Sequence, residues 1–278
     1  MKKIIGIFCF CIITFLSQAQ EMFPGVVSYT FRNSLEKDLP GTLDSIRAMG
    51  LINMEFSSLF GKTPAELRRL LDERGMICTS YGVSYADLKN KTDEVGETAR
   101  TLGAAFVRVA WIPHDSTGFT LAVAQQAADD FNRAGQLLME KYGIRFCYHN
   151  HGYEFQPYGK GTYYDFLQSA TDPRWVGFEL DILWVYFPGK DPVDILRRYG
   201  KRIYLMHLKD LKKGVARNPV GGTSGQNNVS LGQGQIDIPA VIRAARKAGV
   251  KHYYIEDESD RVFVQVPESI RFLRTLKK

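Results

Sequence analysis

From residue 25 onward, short apolar runs alternate with longer stretches in which apolar side chains recur every three or four positions. The short runs read as buried strands, and the longer ones as helices packed by one face. GVVSYTF (25–31) precedes a helical pattern near 39–49, and INMEF (52–56) precedes TPAELRRLLDERG. In the latter, Thr63 is placed to cap the helix, Pro64 suits a first turn that needs no N–H, and Gly75 ends it. MICTSYGV (76–83) leads to a helix near 91–102, AAFVRVAWI (104–112) to one over 119–142, and IRFCYHN (144–150) to one near 162–170. WVGFELD (175–181) leads to DPVDILRRYG, RIYLMHL (202–208) to IPAVIRAARKAG, and HYYIED (252–257) to a last helix near 266–276.

Eight strand-then-helix units predict an α/β fold, a single (β/α)8 TIM barrel. The alternative, an open doubly wound sheet, has fewer units and a Gly-rich first turn, where this chain reads FRNSLEKDLP. The one long segment without periodicity is 211–237, after the seventh strand, on the face where barrel enzymes carry their active sites. Its LGQGQ lacks the Lys and Ser/Thr that follow a phosphate loop, so Gly232 and Gly234 read as turn residues.

The chain opens MKKIIGIFCFCIITFLSQAQ. Two lysines, an apolar run from Ile4 to Leu16, and Ser17-Gln18-Ala19 form the pattern of a secretory signal peptide cut after Ala19. The expected organisation is therefore a signal peptide over 1–19 and a barrel domain over 20–278, secreted or periplasmic. The apolar run is short for a membrane anchor. Removing Lys2 and Lys3 takes the formal charge from +6 to +4. That mild charge, with no basic run interleaved with aromatics, argues against nucleic-acid binding. Cys78 and Cys147 read as isolated buried thiols, and without a CxxC pair a thiolate metal site is excluded.

In a barrel the C-terminal strand ends converge on one mouth. Strand five ends with His149, strand six with Asp181, strand seven with His207 and strand eight with Glu256. Alternation along a strand puts Cys147 with His149, Glu179 with Asp181, Leu205 with His207 and Tyr254 with Glu256 on shared faces. Taken singly, each has a plain structural role: a hydrogen-bonded strand-end His, a helix-capping Asp, an acidic rim beside Asp257 and Glu258. Jointly they are harder to explain without a cation, because buried carboxylates facing each other need one, or protons. Nitrogen and carboxylate donors without thiolate suit one divalent ion of Mn, Zn, Co or Fe, and admit Mg. Lys209 lies two beyond His207, placed either to stabilise an oxyanion or to form a rim ion pair. Phe31, Trp184 and Trp111 are candidates for an aromatic wall against a sugar.

The segments YHNHGYEF (148–155), LDILWVYFPGKDPVDILRRYGKRIYLMHLKD (180–210), LGQGQIDIPAVIRAARKAGVKHYYIEDES (231–259) and GLINMEFSSLFGKTPAELRRLLDERGMICTS (50–80) resemble the xylose-isomerase-like TIM-barrel superfamily. More narrowly they are similar to its sugar phosphate isomerase/epimerase branch, relatives of inosose dehydratases and keto-sugar epimerases. The resemblance implies one divalent ion held at the ends of strands five to eight by Glu, Asp, His and Glu. Here Asp181, His207 and Glu256 match, and His149 falls where the first glutamate stands. It further implies proton abstraction next to a carbonyl, with Glu256 or His149 removing the proton and the other, or His151, returning one. Glu154 and Lys209 are then expected at the substrate. One departure, His149 for a glutamate, argues against a simple two-glutamate epimerisation; two others, TSYGVS without a histidine at the end of strand three and Gln233 for a glutamate, argue against carrying over the exact substrate. With the leader, the expected substrate is an unphosphorylated sugar or keto-sugar, and the expected enzyme an isomerase or epimerase, with no nucleic-acid partner and no membrane anchor. A lyase acting on an inosose or a 3-keto-glycoside, a metal-dependent phosphodiesterase and a non-catalytic carbohydrate-binding barrel are the alternatives. A homodimer is common among such proteins.

Overall fold

The computed structural model describes residues 24–116, 118–219 and 222–276, so the leader-like residues 1–19 lie outside it. Eight parallel strands close into a barrel: β1 (Gly25–Val27), β2 (Asn53–Phe56), β3 (Ile77–Val83), β4 (Phe106–Val109), β5 (Arg145–His149), β6 (Val176–Asp181), β7 (Ile203–Leu208) and β8 (His252–Ile255). Each strand is hydrogen-bonded to its sequence neighbours, and β1 closes the ring against β8. The principal helices are α1 (Leu39–Ala48), α2 (Pro64–Asp72), α3 (Thr92–Leu102), α4 (Leu121–Tyr142), α5 (Tyr163–Ala170), α6 (Pro192–Tyr199), α7 (Ile238–Ala248) and α8 (Val262–Thr275).

The local signals act as expected at α2. Thr63 accepts from the Glu66 N–H, and the Glu66 carboxylate accepts from the Thr63 N–H at 2.7 Å, with Pro64 in the first turn. The last helix starts earlier than its pattern, at Val262, and runs through Pro267. Burial of Val262 and Val266 against the barrel outweighs the one hydrogen bond that Pro267 cannot donate. β1 is shorter than its apolar run, because Ser28–Phe31 winds into a 3-10 turn.

Two cores result. The larger lies between strands and helices. The smaller fills the lower barrel interior with Val27, Phe106, Cys147, Leu205 and Tyr254. Cys78 and Cys147 are buried and free, and burial pushes their thiols up, Cys78 to about 12. Above this apolar plug the interior turns polar, and the site begins.

The segment after β7 is organised around one buried carboxylate. Asp210 accepts from the N–H groups of Gly232 (2.9 Å), Gly234 (3.0 Å) and Ile236 (3.2 Å). Gly232 has φ +84°, and a Cβ on Gly234 would lie 2.2 Å from the Asp210 Oδ1. LGQGQ thus wraps an internal aspartate, and these amides are already committed.

Candidate metal centre and active-site cleft

Parallel pairing steps the strand ends around the mouth. His149 pairs with Glu179, Asp181 with His207, and His207 with Tyr254, two residues before Glu256. Asp181 Oδ1 accepts from the N–H groups of Leu183 (2.8 Å) and Trp184 (3.0 Å), capping the short helix Ile182–Tyr186. Its other oxygen, Oδ2, is buried with no hydrogen-bond partner, 4.0 Å from His149 Nε2. His207 Nδ1 lies 2.7 Å from Glu256 Oε2. Asp181, His207 and Glu256 bring one donor atom each within 4.8 Å of one another. Asn150 faces away from this group: its side chain bonds the Asp181 backbone N–H (3.1 Å) and carbonyl (3.3 Å), fixing β5 to β6.

Directly beneath sits a second layer of charge. The Arg108 Nε donates to Glu55 Oε1 at 2.6 Å and lies 3.3 Å from Glu179 Oε2. His149 Nδ1 is 3.1 Å from Glu179 Oε2, and His207 Nε2 is 2.8 Å from Glu55 Oε1. His149, Glu179 and His207 also satisfy the spacing of a cation site. There, however, the guanidinium already serves the carboxylate, so the mouth-facing group is the better cation site.

The charges of the two layers are interdependent. Burial alone would raise Glu55, but Arg108 and His207 outweigh it and hold the carboxyl at about 2. Burial and the Glu55 charge push Glu179 up. Burial raises Asp181 to about 7, against the pull of Lys209. Burial and the neighbouring His207 keep His149 uncharged, whereas Glu179, Glu256 and Glu55 overcome burial to raise His207. Lys209 and His207 likewise overcome burial to hold Glu256 ionised. Asp181 and Glu256 are buried carboxylates that face each other across the mouth beside His207, an arrangement that a divalent ion would satisfy. The orphaned Asp181 Oδ2 and an all-N/O donor set fit such an ion.

A cleft of about 490 Å³ opens over this floor, a usual size for a small-molecule site. His149, His151, His207 and Glu256 line it, with Trp111 and Trp184 on one side and Tyr29 and Phe60 after β1 and β2 on the other. Trp111 is half exposed at the rim, not a core residue. His151 is held neutral by burial at about 3, its Nδ1 without a partner. Two expectations are corrected. Phe31 is buried against Phe263 at 5.2 Å, because the 3-10 turn ends the strand alternation and presents Tyr29 instead. Glu154 is fully buried outside the cleft lining, where its carboxylate accepts from the Tyr148 hydroxyl and the His151 N–H. Lys209 is buried, paired with Glu258 and 3.4 Å from Glu256, so the rim ion pair is realised.

Glu55, Arg108 and Glu179 were not among the expected site residues. Their signal was a lone charge inside an otherwise apolar strand, as in INMEF and AAFVRVAWI, which must find a partner inside the barrel.

Burial pushes Glu154 up to about 7 despite its hydrogen bonds. Its folded pKa thus exceeds the unfolded value of about 4.5, so its stabilising contribution is full below that value and is lost as pH rises through 7. Thermal melts from about pH 5 to pH 8 should therefore fall more steeply for the wild type than for Glu154→Gln; parallel curves would refute this.

The profile of the xylose isomerase-like TIM barrel family matches residues 43–276, and the chain belongs to that family. It is 26% identical over 208 residues to the inosose dehydratase of Geobacillus kaustophilus, covering 64% of this chain and 67% of that relative. Its fold is like that of a sugar phosphate isomerase/epimerase from Parabacteroides distasonis (24% identity, TM-score 0.74, 94% of this chain and 97% of that one). It is also like that of the IOLI protein, solved with a zinc atom (16% identity, TM-score 0.69, 92% and 96%).

Proposed function

We propose that the protein is a divalent-metal-dependent enzyme that removes a proton next to the carbonyl of an unphosphorylated polyhydroxy ketone and then expels water from the adjacent carbon. The carrying observation is the unlike pair of groups at the cleft. Glu256 brings a carboxylate from β8, whereas β5 brings the imidazoles of His149 and His151. Inversion at carbon calls for an acid and a base on opposite faces of the substrate. Dehydration asks less, since one carboxyl can take the proton from carbon and hand it to the departing hydroxyl on the same face. The inosose dehydratase relative supports this reading.

Glu256 acts as the base, held ionised by Lys209 and His207. The C–H bond breaks to the carboxylate, the new C=C bond forms, the adjacent C–O bond breaks, and the same proton completes the water. The imidazole of His151 at the cleft wall meets a substrate hydroxyl, and Trp111 and Trp184 meet the ring's C–H faces. His149, Asp181, His207 and Glu256 would hold the ion, which supplies electrostatic stabilisation for the oxygen charge that develops as the proton leaves. The committed amides of LGQGQ support an unphosphorylated substrate, and the leader-like first nineteen residues support a secreted or periplasmic enzyme. An isomerase or epimerase shares the first step, and the Parabacteroides distasonis neighbour supports it as a second reading.

The test uses protein loaded with Mn²⁺ or Zn²⁺ and a panel of inososes and unphosphorylated keto-sugars in D₂O. A product lighter by one water is expected. An isomer of equal mass would replace the first reading by the second. Absence of both product and deuterium exchange across the panel would sink both.

A further inference from the structure

We propose that Glu179 and Glu55, sharing Arg108 as counter-ion, are positioning residues that dictate which ring nitrogen His149 and His207 each turn to the mouth. The inference rests on the metal site proposed above and concerns how this chain builds it.

An imidazole that binds an ion through one nitrogen must carry its proton on the other, and that N–H needs an acceptor. For His149 the acceptor lies on the Nδ1 side, Glu179 Oε2 at 3.1 Å, which leaves Nε2 toward the orphaned Asp181 Oδ2. For His207 the sides are exchanged. Glu55 Oε1 meets Nε2 at 2.8 Å, which leaves Nδ1 toward Glu256. Two neighbouring rings, 4.6 Å apart between centroids, thus turn opposite nitrogens away from the glutamate layer.

Three further observations show that this layer is built for the task. The pairing slips by one residue beside each glutamate, the extra residue being Thr79 on β3 next to Glu55 and Tyr204 on β7 next to Glu179. Each spends one oxygen on a histidine and Arg108, and the second oxygen of Glu179, Oε1, lies 3.4 Å from His207 Nε2, on the same side of that ring as Glu55. Gly82 on β3 makes room for the guanidinium: a Cβ there would lie 3.1 Å from Arg108 Cζ.

The experiment compares wild type, Glu179→Gln, Glu179→Asp and Glu55→Gln, by calorimetric titration with Zn²⁺ and by ¹⁵N NMR of the histidine rings in the zinc-loaded protein. In the wild type, zinc should sit on Nε2 of His149 and on Nδ1 of His207, with the opposite nitrogens protonated. Glutamine can offer an N–H as readily as an oxygen, so either Gln variant should weaken zinc binding about 10–100-fold. Glu179→Asp, which keeps the carboxyl group, should retain more affinity than Glu179→Gln. Unchanged affinity in both Gln variants, or both rings binding through the same nitrogen, overturns the inference while leaving the metal site standing. A wild type that takes up no zinc or Mn²⁺ overturns the metal site itself. Should Glu179→Gln fail to fold, Glu55→Gln decides the matter through His207.

Discussion

Glu256→Gln is expected to lower turnover by about 10²–10⁴-fold, the range that removal of a positioned general base costs. The substitution keeps the shape of the side chain and deletes only its charge and basicity. Burial works against a charge at this position, yet Lys209 and His207 overcome it, so the site maintains an ionised carboxylate at the floor of the cleft. A group so maintained and so placed is suited to the proton removal proposed above. Because Glu256 also faces the ion-binding donors, turnover should be measured at saturating Mn²⁺, with solvent deuterium exchange of the substrate read in parallel. Both should fall together. A variant that keeps wild-type exchange would move the base elsewhere, with His151 next in line at the cleft wall.

Arg108→Met should have the largest effect on stability, a loss of about 3–5 kcal/mol near neutral pH. The arginine is nine-tenths buried, and its Nε serves both Glu55 and Glu179. Methionine fills part of the volume but leaves two carboxylates facing each other in the barrel interior. The pH dependence identifies the cause. In the wild type Glu55 is held at about 2, so its stabilising contribution is present above the unfolded carboxyl pKa and is lost as pH falls toward 2. In the variant that contribution is gone, and protonation relieves the repulsion. The stability gap between the two proteins should therefore narrow on acidification. Urea denaturation at about pH 7 and pH 4.5 reads it. An equal gap at both values would mean that Arg108 acts by packing alone.

Most of the architecture was legible along the chain, because the features that specify it are local. Apolar runs of strand length and one-sided helical stretches each declare their element, and Thr63, Pro64 and Glu66 mark a helix start within four residues. Strand ends were legible for the same reason, and with them His149, Asp181, His207 and Glu256, which stand at or just beyond the last paired residues of their strands. The misplaced residues are those whose direction depends on where a strand stops. Phe31 lost its expected place because β1 ends four residues earlier and coils, and Glu154 turned inward to its own strand's Tyr148 and to His151.

The sequence by itself determined an eight-unit barrel and the donor types at its mouth, since both follow from periodicity and residue chemistry. Only the tertiary structure decided that Glu55, Arg108 and Glu179, from β2, β4 and β6, form the layer under the site. The reason is physical. Barrel closure brings those three charges together, and it arises from pairing between strands rather than from any property of one strand alone.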